Sequence, residues 1–169
     1  MYVVVERSRK KILLSILGSV AFVLVSLAIA AQGSALALVV GTVGVVTFVG
    51  FGVLWVALGM RRGPGLIVDD DGFDDGTSAL AVGRVPWADV TGVSDWTAFR
   101  SSTVVVHVRN PDAYLARLTW IARPAARANL AVVGSPVTMT SSSLDMDSES
   151  LSALLHEGFE RHRRVRSGA

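Results

Sequence analysis

The sequence lacks cysteine altogether, and it lacks formal charge over one long stretch near the N-terminus. The absence of cysteine fits a domain in the reducing cytosol. No Asp, Glu, Lys or Arg occurs from Ile12 to Met60. Ionisable groups inside a membrane mark ion and substrate pathways, so their absence here argues against a pore or a transporter. The chain also has neither a G-x-G-x-x-G motif nor a P-loop, and a nucleotide site therefore has no support.

The uncharged stretch has room for two membrane spans, since each needs about 20 apolar residues. The only polar cluster within it is Gln32, Gly33 and Ser34. The pattern predicts a transmembrane hairpin over 12–60, with helices at about 12–31 and 36–58. Two pairs of small residues have small-xxx-small spacing, which predicts where the two helices approach closely. They are Ser15 with Ser19 and Ala37 with Gly41.

Basic residues flank both ends of this hairpin and predict its orientation. Arg7, Arg9, Lys10 and Lys11 precede it, and Arg61 and Arg62 follow it. Because basic flanks stay cytoplasmic, the segment 1–11 and the domain 63–169 are both predicted to be cytosolic. The competing interpretation is a signal peptide cleaved after Ala28-Ile29-Ala30, which could place the domain outside. A signal core of about 7–15 residues is shorter than this apolar run.

Short apolar runs with turn signals replace the continuous apolar pattern after "RRGPG". Runs rich in β-branched residues favour strands. The predicted strands are Leu66–Asp69, a segment 78–87 broken at Gly83, Thr91–Thr97, Ser102–Val108 and Pro136–Thr140. The N-terminal "YVVVE" is also β-prone and is predicted to pair with a free sheet edge of this domain.

Two helices accompany these strands. Asn110-Pro111 is a helix start signal, and this helix is predicted to carry Ile121 on its apolar side and to end at Pro124. The last helix is predicted to begin near Ser148, with Asp147 or Ser148 as its cap. Its predicted apolar stripe is Leu151, Leu154, Leu155 and Phe159. Antiparallel strands followed by one amphipathic helix predict an α+β domain. Its expected form is a partly open antiparallel β-barrel of the pleckstrin-homology-like type, closed by the C-terminal helix.

Several short motifs, taken in order, carry a resemblance. They are "ERSRKKILL", "PGLIVDDDGFDD", "VGRVPWADVTGV", "NPDAYL" and "GSPVTMTSSSL". The chain resembles an uncharacterised family of small bacterial membrane proteins that have two N-terminal transmembrane helices and a C-terminal pleckstrin-homology-like domain. The resemblance implies that fold and a location in the cytoplasmic membrane, and it implies no catalytic residues.

The acidic segment "DDDGFDDG", Asp69 to Gly76, matches no calcium-binding loop. An EF-hand pattern with its glycine at Gly72 has Ile67 in place of the first acid, and one with its glycine at Gly76 has Phe73 at a ligand position. Neither register has the final Glu. Asp-Gly pairs favour tight hairpin turns. The segment is therefore predicted to be a solvated hairpin turn, with weak divalent-ion binding left open.

The histidines do not predict a metal site. His156 and His162 are six residues apart, which places them about 240° apart around a helix. His107 stands alone in a predicted strand. The spacing of the Ser, His and Asp residues does not predict an activated nucleophile. The protein is therefore expected not to be an enzyme, and no cofactor or metal is expected.

The C-terminal tail is the candidate lipid contact, through Arg161, Arg163, Arg164 and Arg166. Each basic residue near an anionic membrane surface contributes about 1 kcal/mol, although cations at a helix C-terminus also oppose the helix dipole. A nucleic-acid interface is not predicted, because no aromatic-rich basic face accompanies the arginines. Trp87, in "PWADV", is predicted to anchor a strand end in the core.

These features predict a non-enzymatic, membrane-anchored interaction or scaffold domain. Its expected partners are the lipid bilayer and a protein or a second copy of the chain, and no small-molecule substrate is indicated. The alternatives are a regulatory subunit that acts on a larger membrane complex through its helices, or a domain that binds lipid headgroups.

Overall fold

The computed structural model describes residues 1–78, 81–98 and 101–168. It divides into two compact units. One unit contains Ser8–Arg62, and the other combines Met1–Arg7 with Gly63–Ala169. The N-terminal residues thus fold with the C-terminal domain, although the helices separate them in sequence.

The first unit is a pair of long helices, α1 (Arg9–Ala30) and α2 (Ala35–Met60). The Ser34 hydroxyl caps α2 by accepting a hydrogen bond of 3.1 Å from the Ala37 N–H. The most apolar window of each helix is only 17% and 11% buried, respectively. Both helices are therefore long and apolar enough to cross a membrane, and their outward surfaces are unlike those of helices in a soluble core.

Small residues line the seam between α1 and α2. A Cβ atom added to Gly41 would lie 2.6 Å from the Ala30 Cβ and the Ser26 carbonyl oxygen, and one added to Gly44 would overlap the Ser26 hydroxyl. Ala37 and Gly41 therefore lie at the close approach, as their spacing predicted. Ser26 and Gly44 complete it.

The second unit begins with a four-stranded antiparallel sheet in the order β1-β2-β3-β4. Its strands are β1 (Val3–Val5), β2 (Leu66–Val68), β3 (Gly72–Asp75) and β4 (Gly83–Pro86). Strand β1 pairs with β2, with Val5 opposite Leu66. The prediction that the N-terminal segment pairs with an edge of the domain is confirmed.

A three-stranded antiparallel sheet follows, in the order β5-β6-β7. Its strands are β5 (Val90–Ala98), β6 (Ser101–Val108) and β7 (Val137–Met139). Ala79 and Leu80, within a predicted strand segment, lie outside the described residues. In the part of the chain that the structure describes, the strands form these two sheets and no closed barrel.

Two helices, α3 (Pro111–Arg117) and α4 (Arg123–Val133), connect β6 to β7. The prediction of one helix ending at Pro124 was wrong. Pro124 lies in the first turn of α4 instead, where its missing N–H has no intrahelical partner to lose. Ile121 is 64% exposed, because the chain turns between the two helices and takes it off the apolar side.

The C-terminal helix α5 spans Ser148–Ser167. The Asp147 side chain caps it by accepting a hydrogen bond of 2.7 Å from the Ser150 N–H, as predicted. Leu151 and Leu155 are fully buried in the core that both sheets share. Helix α5 therefore covers the apolar interior of the domain.

Trp87 is 1% exposed and lies between the acidic turn and α5. Its ring centroid is 5.2 Å from that of Phe73, and its indole N–H donates to the Asp69 carbonyl oxygen at 3.0 Å. A Cβ atom on Gly158 would lie 2.5 Å from the Trp87 Cζ2 atom, so only glycine lets α5 come this close. The structure thus places Trp87 where the sequence expected an anchor.

Candidate functional site

The acidic segment divides into a turn and a strand. Asp69–Asp71 form the turn between β2 and β3, and Gly72–Asp75 are β3 itself. The prediction of a turn through the whole segment was wrong for this second half. Gly72 does not take a positive φ. It is glycine because a Cβ atom there would overlap the Val85 carbonyl oxygen on β4.

The carboxylates of this segment are largely engaged by the protein itself. Asp69 accepts both guanidinium N–H groups of Arg84 at 2.7 Å and the backbone N–H of Gly72 at 2.9 Å. The Arg84 contact, above all, lowers the pKa of Asp69 to about 2. Asp70 forms an ion pair with the N-terminal ammonium of Met1. Two of the three carboxylates of the turn are therefore paired with positive charges of the same domain.

Asp75 differs from the predicted solvated carboxylate, because it is only 4% exposed. It accepts hydrogen bonds from the Thr77 N–H at 2.9 Å and from the Thr77 hydroxyl at 2.8 Å. Burial raises its pKa. Among the described residues, no three His, Asp or Glu side chains are arranged to hold a metal ion.

The acidic turn and the basic tail meet at a small cavity of about 280 Å³. Asp69–Asp71 line one side, while Arg161, His162 and Val165 of α5 line the other. This arrangement was not expected from sequence, where the two segments are about as far apart as the domain allows. It brings opposite charges together within one domain.

A second and larger cleft, of about 490 Å³, lies beside the C-terminal half of α5. We name it the arginine cleft. Its residues are Trp87, Ala88, Val90, Thr91, Arg109, Phe159, His162, Arg163, Arg166 and Ser167. Three of these are arginines and none is an acid, so the residues that line the cleft carry a net positive charge.

The four arginines predicted to contact lipid face different surroundings. Arg161 pairs with Glu157 at 2.8 Å and lines the small cavity. Arg163 pairs with Glu160 at 3.1 Å and lines the arginine cleft with Arg166. Arg164 lines neither cavity and is exposed. Two of the four tail arginines therefore line the arginine cleft, and the other two lie on other faces of α5.

Sequence reasoning missed Arg109, which follows the end of β6. Its backbone N–H donates to the Asp89 carbonyl oxygen at 2.8 Å, which fixes the strand end beside the cleft. No sequence pattern links it to the α5 arginines, because only the sheet topology brings them together.

The turn between α3 and α4, residues 119–122, displays two apolar side chains, and we name it the aromatic tip. Trp120 is 80% exposed and Ile121 is 64% exposed. The Arg123 guanidinium holds the turn by donating to the carbonyl oxygens of Leu115 at 3.2 Å and Leu118 at 3.1 Å. The tip is thus a fixed structure that keeps a large apolar surface in solvent.

A Ser, a His and an Asp also meet on α5 and β5. The Ser152 hydroxyl donates to the Asp95 carboxylate at 2.8 Å and lies 3.2 Å from the His156 Nδ1 atom. A catalytic triad requires the histidine between the serine and the acid. Here the serine is in the middle, and the same His156 atom lies 3.0 Å from the Ser152 carbonyl oxygen. The arrangement joins a helix to a sheet.

Two other candidate residues, His107 and Arg7, contact groups of the protein itself. His107 Nε2 lies 2.9 Å from the Ser94 hydroxyl on the neighbouring strand. Arg7 donates to the carbonyl oxygens of Gly63 and Gly76, both at 2.9 Å. Arg7 therefore holds the N-terminal strand in place, in addition to any effect on orientation. Among the remaining basic flanks, Arg9, Lys10, Arg61 and Arg62 are exposed, and Lys11 is partly buried.

The chain matches no family model, no curated protein and no solved structure.

Proposed function

We propose that this protein is a membrane-anchored, non-enzymatic interaction domain of a bacterial cytoplasmic membrane. Helices α1 and α2 cross the bilayer as a multi-pass anchor. Both termini are cytoplasmic, and the domain formed with Gly63–Ala169 has a pleckstrin-homology-like architecture and recognises a partner beside the membrane.

The observation that carries the proposal is the pairing of β1 with β2 across the whole helical hairpin. Three residue pairs, from Val3 with Val68 to Val5 with Leu66, join the chain before α1 to the chain after α2. Strands of one sheet occupy one compartment, so two spanning helices between them must enter and leave on the same side. The basic residues at both ends favour the cytoplasmic side.

The same pairing argues against cleavage of a signal peptide after Ala30. The N-terminal segment is held from both sides, because the Asp145 N–H also donates to the Glu6 carbonyl oxygen at 3.0 Å. Cleavage would remove β1 and would leave the buried edge of β2 without its backbone partners. Unpaired buried backbone groups are costly.

The pleckstrin-homology-like part of the proposal is supported by the strand count and order. A four-stranded and a three-stranded antiparallel sheet enclose one core. The C-terminal helix contributes Leu151 and Leu155 to that core. Such a fold does not define a function by itself.

The aromatic tip is the surface that favours an interaction role. Exposed Trp residues are enriched where proteins meet partners, since they combine large apolar area with a polar N–H. Arg123, which follows the tip, donates to three carbonyl oxygens at the end of α3, which precedes it. These contacts join the two ends of the turn that exposes Trp120, and a preordered turn lowers the cost of binding. A protein partner or a second copy of the chain is the proposed ligand of this surface.

Thiol labelling tests the topology directly, because the native chain contains no cysteine. Gln32→Cys lies between α1 and α2, and Ala153→Cys lies on the exposed face of α5. In spheroplasts, a membrane-impermeant maleimide is expected to label Gln32→Cys at once and Ala153→Cys only after lysis. Labelling of Ala153→Cys in intact spheroplasts would overturn the cytosolic placement, and protection of Gln32→Cys would overturn the spanning hairpin.

A further inference from the structure

We infer that the arginine cleft binds a phosphate monoester group, carried either by a small soluble molecule or by a lipid headgroup. This inference goes beyond the proposed function, because it assigns a small-anion site to a surface that is separate from the aromatic tip. It begins from two of the cleft arginines, Arg109 and Arg166, whose side chains differ from that of Arg163 and from several other arginines of the domain.

The domain engages many of its arginines in fixed contacts. Arg84 binds a carboxylate, Arg123 binds backbone carbonyls, and Arg117 lies over the Tyr114 ring while donating to the Arg84 carbonyl. Within the described residues, the side chains of Arg109 and Arg166 make no hydrogen bond or ion pair. Two unengaged guanidinium groups from distant parts of the sequence therefore face one cleft.

The charges around the cleft favour an anion. Arg163 is the third guanidinium, and its pairing with Glu160 reduces its contribution. Glu160 does not line the cleft, and the nearby Asp89 carboxylate is occupied as the acceptor of the Tyr114 hydroxyl at 2.8 Å. The C-terminus of α5 adds roughly half a negative charge. The three guanidinium charges exceed the charges of Glu160 and Asp89 and this partial charge taken together.

The size and walls of the cleft fit a small phosphate compound. Its volume of about 490 Å³ lies within the range of roughly 300–1,000 Å³ found for small-ligand sites. Trp87, Val90 and Phe159 give it apolar walls, and apolar walls strengthen the field of charges at a cleft. A planar guanidinium donates two parallel N–H groups to phosphate oxygens, and a doubly charged monoester can accept from several such groups at once.

The first arm of the test uses a soluble ligand. Full-length protein in phosphatidylcholine nanodiscs is titrated with glycerol 3-phosphate at low salt by isothermal calorimetry. The double variant Arg109→Gln/Arg166→Gln is expected to bind at least about tenfold more weakly, since charge-assisted hydrogen bonds are lost at both residues. Arg164→Gln removes the same kind of charge from an exposed position of α5 outside the cleft, and it is expected to leave the affinity within about twofold.

The second arm identifies the source of the phosphate. Native mass spectrometry counts lipids retained from micelles containing phosphatidic acid, a monoester, or phosphatidylglycerol, a diester. If the native protein retains more phosphatidic acid than phosphatidylglycerol, and the double variant loses this preference, the ligand is a lipid headgroup. Binding of glycerol 3-phosphate without such retention assigns a soluble ligand.

Three outcomes overturn the inference. The first is that the native protein, folded and with its normal melting temperature, binds neither glycerol 3-phosphate nor phosphatidic acid. The second is that the double variant binds as tightly as the native protein. The third is that Arg164→Gln and the double variant lose the same affinity, which would show a general charge effect. Neither arm depends on which side of the membrane holds the domain, so the thiol labelling described above can fail or succeed independently.

Discussion

Val5 and Leu66 are opposite each other in adjacent antiparallel strands, although both long apolar helices lie between them in the sequence. Val5 is 7% exposed and belongs to the core, whereas its neighbour Val4 is 42% exposed. Strand β1 therefore presents one side chain to the core and the next to solvent, as the alternation of a half-buried strand requires. The N-terminal segment is a structural part of the domain.

This relationship predicts that Val5→Asp destabilises the domain far more than Val4→Asp. The first variant places an unpaired charge in the core, which costs several kcal/mol. The second changes an exposed side chain and is expected to cost less than about 1 kcal/mol. The difference is measured by limited proteolysis of the full-length variants in detergent at increasing temperature. The temperature at which the domain becomes cleavable is compared between them. Equal behaviour of the two variants would show that β1 is not an integral strand.

Gly158→Ala is predicted to destabilise the protein, against the usual effect of this change in a helix. Alanine is normally favoured over glycine by about 1 kcal/mol in a helix interior. Here the new Cβ atom would lie 2.5 Å from the Trp87 ring, and overpacking of this kind typically costs about 1–3 kcal/mol. Thermal unfolding monitored by Trp fluorescence gives the sign.

Gly92→Ala is the matched control for that measurement, because nothing lies within 4 Å of a Cβ atom there. It is expected to leave the melting temperature nearly unchanged. A melting temperature raised by Gly158→Ala would show that α5 does not pack tightly on Trp87.

Local signals in the sequence predicted most of the helices and strands. The two long helices follow from composition, and the β-branched run of β6 and the Asp147 cap of α5 follow from neighbouring residues alone. Each of these signals depends on residues within a turn or two of the element. The pairing of β1 with the domain was also predicted, from its β-prone sequence.

Tertiary contacts determined what the sequence did not predict. Asp75 is buried because Thr77 satisfies its carboxylate, and a run of acids gives no sign of this. Ile121 is exposed because Arg123 stabilises a turn that breaks the expected helix. Arg109 joins Arg166 only because β6 ends beside α5. Long-range packing therefore assembled the candidate site, while local patterns predicted only its parts.

The Asp69–Arg84 ion pair predicts a loss of stability at acidic pH. The pKa of Asp69 is lowered to about 2 in the folded protein, and an unfolded Asp has a pKa of about 3.9. A pKa that is lowered by folding stabilises the folded protein at pH values above the pKa of the unfolded state. This contribution is lost as the pH falls from about 4 toward 2. Asp69→Asn should therefore lower the melting temperature at pH 7 and have little effect near pH 2.

Asp145→Asn is the control for this pH dependence, because Asp145 is exposed and, within the described residues, its side chain makes no ion pair. Its effect is expected to be small at both pH values. If the difference between Asp69→Asn and the native chain were the same at pH 7 and near pH 2, the ion pair would not be the cause.

The aromatic tip predicts a binding contact that is separate from folding. Trp120 is 80% exposed, so Trp120→Ala is expected to change the free energy of unfolding by less than about 0.5 kcal/mol. A photo-crosslinking amino acid at position 120 should give a discrete adduct with a protein in intact cells, while the same amino acid at Ala153 should not. Mass spectrometry of the adduct would distinguish a second copy of the chain from another protein. Identical patterns at both positions, or none at 120, would contradict a docking role for the tip.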